Sequence, residues 1–157
     1  MRECRVIVPV ALKVAVLGMV LLLAGMVPRA QVSAPEVVVY KTATCGCCTH
    51  WVDHMRANGF SIASHDVTDI NRVKSEHGVP SEAASCHTAV VDGYVVEGHV
   101  PADAVQRLLR ERPSVSGIAV PGMPAGSPGM ELPSGRRDAY SIVTFDEDGQ
   151  IGLFEQR

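Results

Sequence analysis

The sequence predicts one α/β domain built around a mixed sheet, and three observations lead there. Short β-branched runs alternate with stretches of helical periodicity between residues 37 and 78, the pattern of a crossover unit. Two apolar runs are then separated only by Asp92-Gly93, the strongest short signal for a tight hairpin. Finally, 157 residues suffice for one modest domain and not for two.

The elements follow in order. Val37-Val38-Val39-Tyr40 reads as a buried strand that runs directly into Lys41-Thr42-Ala43-Thr44-Cys45-Gly46-Cys47-Cys48. Trp51, Val52 and Met55 recur at helical spacing, so a helix is expected to start near Cys47 or Cys48 and to stop at Asn58-Gly59. Phe60 to His65 alternates as a second strand. Thr68 or Asp69 can cap a helix carrying Ile70 and Val73, which ends at His77-Gly78 before Pro80. Thr88 to Val91 and Tyr94 to Val96 form the hairpin. Pro101 opens a helix with Val105, Leu108 and Leu109 on one face, Arg110 and Arg112 near its C-terminal dipole, and Pro113 as its stop. The order βαβα followed by ββα is the thioredoxin-like arrangement. Residues 113 to 135 read as a Pro/Gly/Ser-rich loop, and Tyr140 to Phe145 with Ile151 to Phe154 as a C-terminal β-hairpin around Asp146-Glu147-Asp148-Gly149.

Residues 1–34 differ from the rest. Arg2, Arg5 and Lys13 precede an apolar segment from Val14 to Val27, and small residues follow at Ser33 and Ala34, as in a secretory signal peptide. Cleavage after Ala34 or after Ala30 is open, and Met26 stands where a lipoprotein signal needs cysteine. The expected domain is therefore 35–157, outside the cytoplasm and, after cleavage, free of the membrane. That portion holds 10 basic and 16 acidic side chains, a net charge of −6, which argues against a nucleic-acid partner.

The chemistry is concentrated in cysteine. Cys45, Cys47 and Cys48 fall within four positions at a strand-to-helix junction, where helix amides and the dipole favour a thiolate. Cys45 and Cys48 have the C-x-x-C spacing of redox centres, which leaves Cys47 surplus to dithiol chemistry. Cys86 directly precedes the hairpin, where a thioredoxin-like fold places a proline opposite C-x-x-C; this chain has Cys86-His87-Thr88. Four converging sulfurs suit a soft cation, Cu(I) first and Zn(II) second, in a mononuclear or a multinuclear site. Two structural disulfides and thiol exchange are the alternatives.

Met123 and Met130, each after a glycine in the loop, offer thioether ligands or simply anchor the loop. His87 adjoins Cys86 and can ligate or tune it. His50 and His54 lie one helical turn apart, yet such a pair is more often a solvated face. Trp51 reads as core. His65, His77 and His99 carry no signal separable from surface composition, and Cys4 is lost with the leader.

Val39-Tyr40-Lys41 through Cys45-Gly46-Cys47-Cys48, Gly78-Val79-Pro80, Ser85-Cys86-His87-Thr88-Ala89, Val91-Asp92-Gly93-Tyr94, Glu97-Gly98-His99-Val100-Pro101 and Gly117-Ile118-Ala119-Val120-Pro121-Gly122-Met123-Pro124 together resemble the periplasmic copper-resistance CopG-like family. This small thioredoxin-like, metal-binding family is also described as a domain of unknown function. The resemblance implies a periplasmic copper protein whose cysteines hold copper and which interconverts Cu(I) and Cu(II), working beside other copper-handling proteins. Carried onto this sequence it makes Cys45, Cys47, Cys48 and Cys86 the copper ligands, with Met123 and Met130 as additions.

Overall fold

The computed structural model describes residues 35–157; the expected signal peptide lies outside the described residues. In chain order the elements are β1 (Val37–Lys41), α1 (Gly46–Ala57), β2 (Ile62–Asp66), α2 (Ile70–Glu76), a 3₁₀ turn (Ser81–Ala83), β3 (Thr88–Val91), β4 (Tyr94–Glu97), α3 (Ala102–Glu111), β5 (Gly117–Ala119), β6 (Ser141–Phe145) and β7 (Ile151–Gln156). The strands form one mixed sheet in the order β2-β1-β3-β4-β5-β6-β7. Strands β1 and β2 are parallel, β3 runs antiparallel to β1 and to β4, and β5 is parallel to β4. Among the described residues no helix is long and apolar enough to cross a membrane.

Strand alternation divides the sheet into two faces. Val37, Val39, Ala89, Val91, Val96 and Ile118 point into the main core, where α1 brings Trp51, Val52 and Met55 and α3 brings Ala104, Val105 and Leu108. The buried residues of α1 are Cys48, Trp51, Val52 and Met55, so the stripe that seats the helix also carries one of the thiols. Val95, Ala119 and Phe145 lie on the opposite face with Ala83, Val79 and Val143.

Local signals set the element ends. Asp69 caps α2, its carboxylate accepting from the Arg72 amide at 3.1 Å. Asp92 and Gly93 have φ of 48° and 85°, the two positive values that a two-residue type I′ turn needs. The guanidinium of Arg112, at the left-handed C-terminus of α3, reaches back to Asp92 and so ties that helix to the hairpin. Helix α1 begins at Gly46 with Cys45 as its N-cap, slightly ahead of the expected start.

One expectation is corrected. Residues 113–135 are not loop throughout, because Gly117–Ala119 forms β5, joining β4 on one side and β6 on the other. The C-terminal hairpin thereby extends the main sheet. Three residues with a single bulky side chain have no periodicity to read; here pairing on both edges makes the strand.

Gly117 shows how tightly that addition is fitted. A Cβ there would sit 2.2 Å from the Val95 carbonyl oxygen, which is backbone and cannot move aside. Gly117→Ala is expected to destabilise the fold by about 2 kcal/mol, read as a lowered urea midpoint.

Candidate metal centre

The end of β1 and the start of α1 deliver Cys45, Cys47 and Cys48, and the segment before β3 delivers Cys86. One sulfur from each lies within 4.8 Å of all the others. Cys45 and Cys48 are joined as a disulfide, with Cys47 and Cys86 as free thiols. The free sulfurs touch that pair from two sides: Cys47 Sγ is 3.4 Å from Cys45 Sγ, and Cys86 Sγ is 3.4 Å from Cys48 Sγ. Cys48 is buried, while Cys45, Cys47 and Cys86 are half-buried, so the cluster opens to solvent on one side.

Cys86 has the most confined surroundings. Burial, reinforced by the neighbouring Cys47, pushes its thiol up to about 12, so the sulfur is protonated at neutral pH. His99 Nε2 lies 2.9 Å from it and His87 Nδ1 3.3 Å. Both rings are fully buried, and burial holds both imidazoles below their usual range, His87 well below. They pack edge to face, and His87 also lies against the Trp51 ring, centroids 4.4 Å apart. Trp51 is core, as expected, its indole N–H donating to the Val100 carbonyl at 2.8 Å.

The Pro/Gly-rich segment crosses the site. Ser127, Pro128 and Gly129 are buried, and the Pro128 carbonyl accepts from the His99 ring at 2.7 Å. Gly129 has φ +84°, and a Cβ on it would meet the Cys47 carbonyl oxygen at 2.6 Å. Only glycine lets the segment lie this close to α1. The neighbouring Met130 is half-buried, whereas Met123 is 54% exposed. His50 is exposed; His54 Nε2 accepts from the Ala102 amide, linking α1 to α3. His65 stacks on Tyr40 and His77 packs against the same ring at a tilt.

A family model described as "Protein of unknown function, DUF411" matches residues 83–130, the stretch from the 3₁₀ turn through Cys86 to Met130. No curated protein matches. Two solved structures, named copper resistance protein copG, forms 1 and 2, each share 47% identity with this chain at a TM-score of 0.74. In both comparisons the match covers 79% of this chain and 98% of the other. The chain belongs to the CopG family.

Beside the CopG cysteines stand residues that composition and motif reading passed over. His99 is the first: the two-residue turn fixes the pairing Thr88↔Glu97, and extending it by two residues sets Cys86 across from His99. The second is the buried network around the adjoining Thr88–Glu97 pair. The Glu97 carboxylate accepts from Lys74, from the Thr88 hydroxyl at 2.7 Å and from the Ser85 amide at 2.6 Å. Ser85 and Thr88 bracket Cys86 and His87 in sequence, so a satisfied carboxylate holds the cysteine-bearing segment to β4. Gly98 permits the approach, since a Cβ there would lie 2.3 Å from Ser85 Oγ.

Glu97 is fully buried and Lys74 nearly so. Lys74→Met leaves the carboxylate without its cation and is expected to cost about 3–5 kcal/mol, measured by denaturant unfolding of the metal-free protein.

Proposed function

We propose that this chain is a periplasmic copper-binding protein that holds Cu(I) at a cysteine-bridged site and contributes to copper resistance. The observation that carries this reading is the convergence of Cys45, Cys47, Cys48 and Cys86 within 4.8 Å. Dithiol exchange needs two of these sulfurs, a structural bridge two, and neither accounts for four at one point. The names of the CopG structures support copper as the cargo, and thiolate donors favour Cu(I), with Zn(II) the second choice. The frame we infer is thioredoxin-like, with residues 1–34 as the export signal and 35–157 as the working domain.

Reduction of the Cys45–Cys48 bond would supply four thiols, each able to bridge two ions, so a multinuclear cluster is the expected form. Met130, carried beside Gly129 at the edge of the site, and Met123 are the proposed thioether additions. Interconversion of Cu(I) and Cu(II) is an extension of this reading, in which other periplasmic copper-handling proteins exchange the ion.

A second reading is favoured by one observation, the bonded Cys45–Cys48 pair. As a thiol-disulfide oxidoreductase the chain, its Cys45–Cys48 bond first reduced by a dithiol donor, would attack a substrate disulfide through the Cys45 thiolate, expelling one substrate thiol. Cys48 would then attack the mixed disulfide, expelling the second and re-forming the Cys45–Cys48 bond. Cys48→Ser would then trap a mixed disulfide without metal.

The deciding experiment is Cu(I) titration of the reduced protein under anaerobic conditions against a competing chelator, with thiols counted in parallel. More than one tightly held copper per chain, with thiols protected, is expected. Cys47→Ser should lower that stoichiometry as much as Cys45→Ser does; an unchanged stoichiometry in Cys47→Ser overturns the cluster.

Because Cys86 is protonated at neutral pH, loading must displace its proton. Cu(I) loading is expected to acidify a weakly buffered solution, and the apparent affinity should rise as the pH is raised through neutrality. A pH indicator in the titration measures both.

A further inference from the structure

His87 and His99 are two fully buried imidazoles to which the cysteine cluster assigns no task. One nitrogen of each lies within 4.8 Å of the other and of the Cys86 sulfur. The proton positions follow from the neighbours. A carbonyl oxygen only accepts, so the contact with Pro128 requires the proton on His99 Nδ1, leaving the Nε2 lone pair directed at Cys86 2.9 Å away. A backbone carbonyl that fixes the far nitrogen is how metal-ligating histidines are commonly held. His87 turns its Nδ1 toward the same sulfur at 3.3 Å, while its Nε2 is buried without a hydrogen-bond partner. A core position that keeps a polar ring without satisfying it suggests a demand on that ring other than packing.

The disulfide adds a further constraint. With Cys45 and Cys48 joined, those two sulfurs are spent, while the Cys47 and Cys86 thiols and both imidazoles remain; Cys86 is the thiol that both imidazoles touch. Two nitrogens and one sulfur suit a divalent ion such as Cu(II) better than a pure thiolate set does. We propose that Cys86, His87 and His99 form a second, nitrogen-rich site that binds a divalent copper ion while Cys45 and Cys48 are bonded. Cys86 then belongs to both donor sets. The inference rests on the reading above only in taking Cys86 as a copper ligand.

The test uses the purified protein without reductant, with Co(II) alone as a redox-inert probe and Cu(II) as the second. One Co(II) per chain is expected, with thiolate-to-metal charge-transfer absorption and the intense d–d bands of a four-coordinate ion. The Cu(II) form should show electron-paramagnetic coupling to two imidazole nitrogens. Cys86→Ser should abolish the charge-transfer band, His99→Gln should weaken binding at least tenfold, and His50→Gln on the exposed face should change neither. Failure to bind Co(II), binding without a sulfur band, or coupling to fewer than two nitrogens overturns the proposal. If His99→Gln does not fold by circular dichroism, the nitrogen count on the unaltered protein decides. Cu(I) uptake by the reduced protein is measured separately: its survival beside a negative Co(II) result sinks this site and spares the cysteine cluster. Its loss beside a positive Co(II) result does the reverse.

Discussion

The register of one hairpin determines the rest of the site. Asp92 and Gly93 form a turn of two residues, and a turn that short leaves β3 and β4 a single way to pair. A slip of β4 by one position would send Val96 out of the core and turn Glu97 into it. In the observed register the apolar residues face α1 and α3, Glu97 faces Lys74 and Thr88, and the chain before β3 emerges opposite His99. Cys86 reaches the α1 thiols because the backbone leading to it has no alternative.

Around that register the molecule divides its work between faces. Packing on the α1 and α3 side is apolar and includes Trp51, whose single polar atom is satisfied by Val100. The opposite side contains a buried ion pair, an arrangement whose stability benefit is small against its desolvation cost. Its value lies in direction, since a carboxylate that accepts from Ser85, Thr88 and Lys74 fixes the segment between them in one place. Cys86 lies within that segment, so the cost secures the position of a candidate ligand.

Much of this was readable in the chain. The β-branched runs, the helical spacing of Trp51, Val52 and Met55, the Asp69 cap and the Asp-Gly turn are local signals, and each fixes an element that the fold retains. The gathering of Cys45, Cys47 and Cys48 followed from spacing alone, and Cys86 from the order of elements. What escaped was non-local. β5 is three residues made into a strand by neighbours on both edges, and His99 looks like any surface histidine until the hairpin register is extended. The Lys74–Glu97 pair joins residues 23 positions apart with no pattern between them. The role of Gly129 depends on a carbonyl 82 positions earlier, so it could not be read from its own surroundings.

The cysteines come from two stretches separated by 38 positions between Cys48 and Cys86. An ion held by both is therefore a crosslink, closing a loop that contains β2 and α2. Such a closure removes conformations from the unfolded chain at a cost that grows only slowly with loop length. Cargo and staple would then be one object, and an ion bound as proposed would stabilise the fold that presents its own ligands.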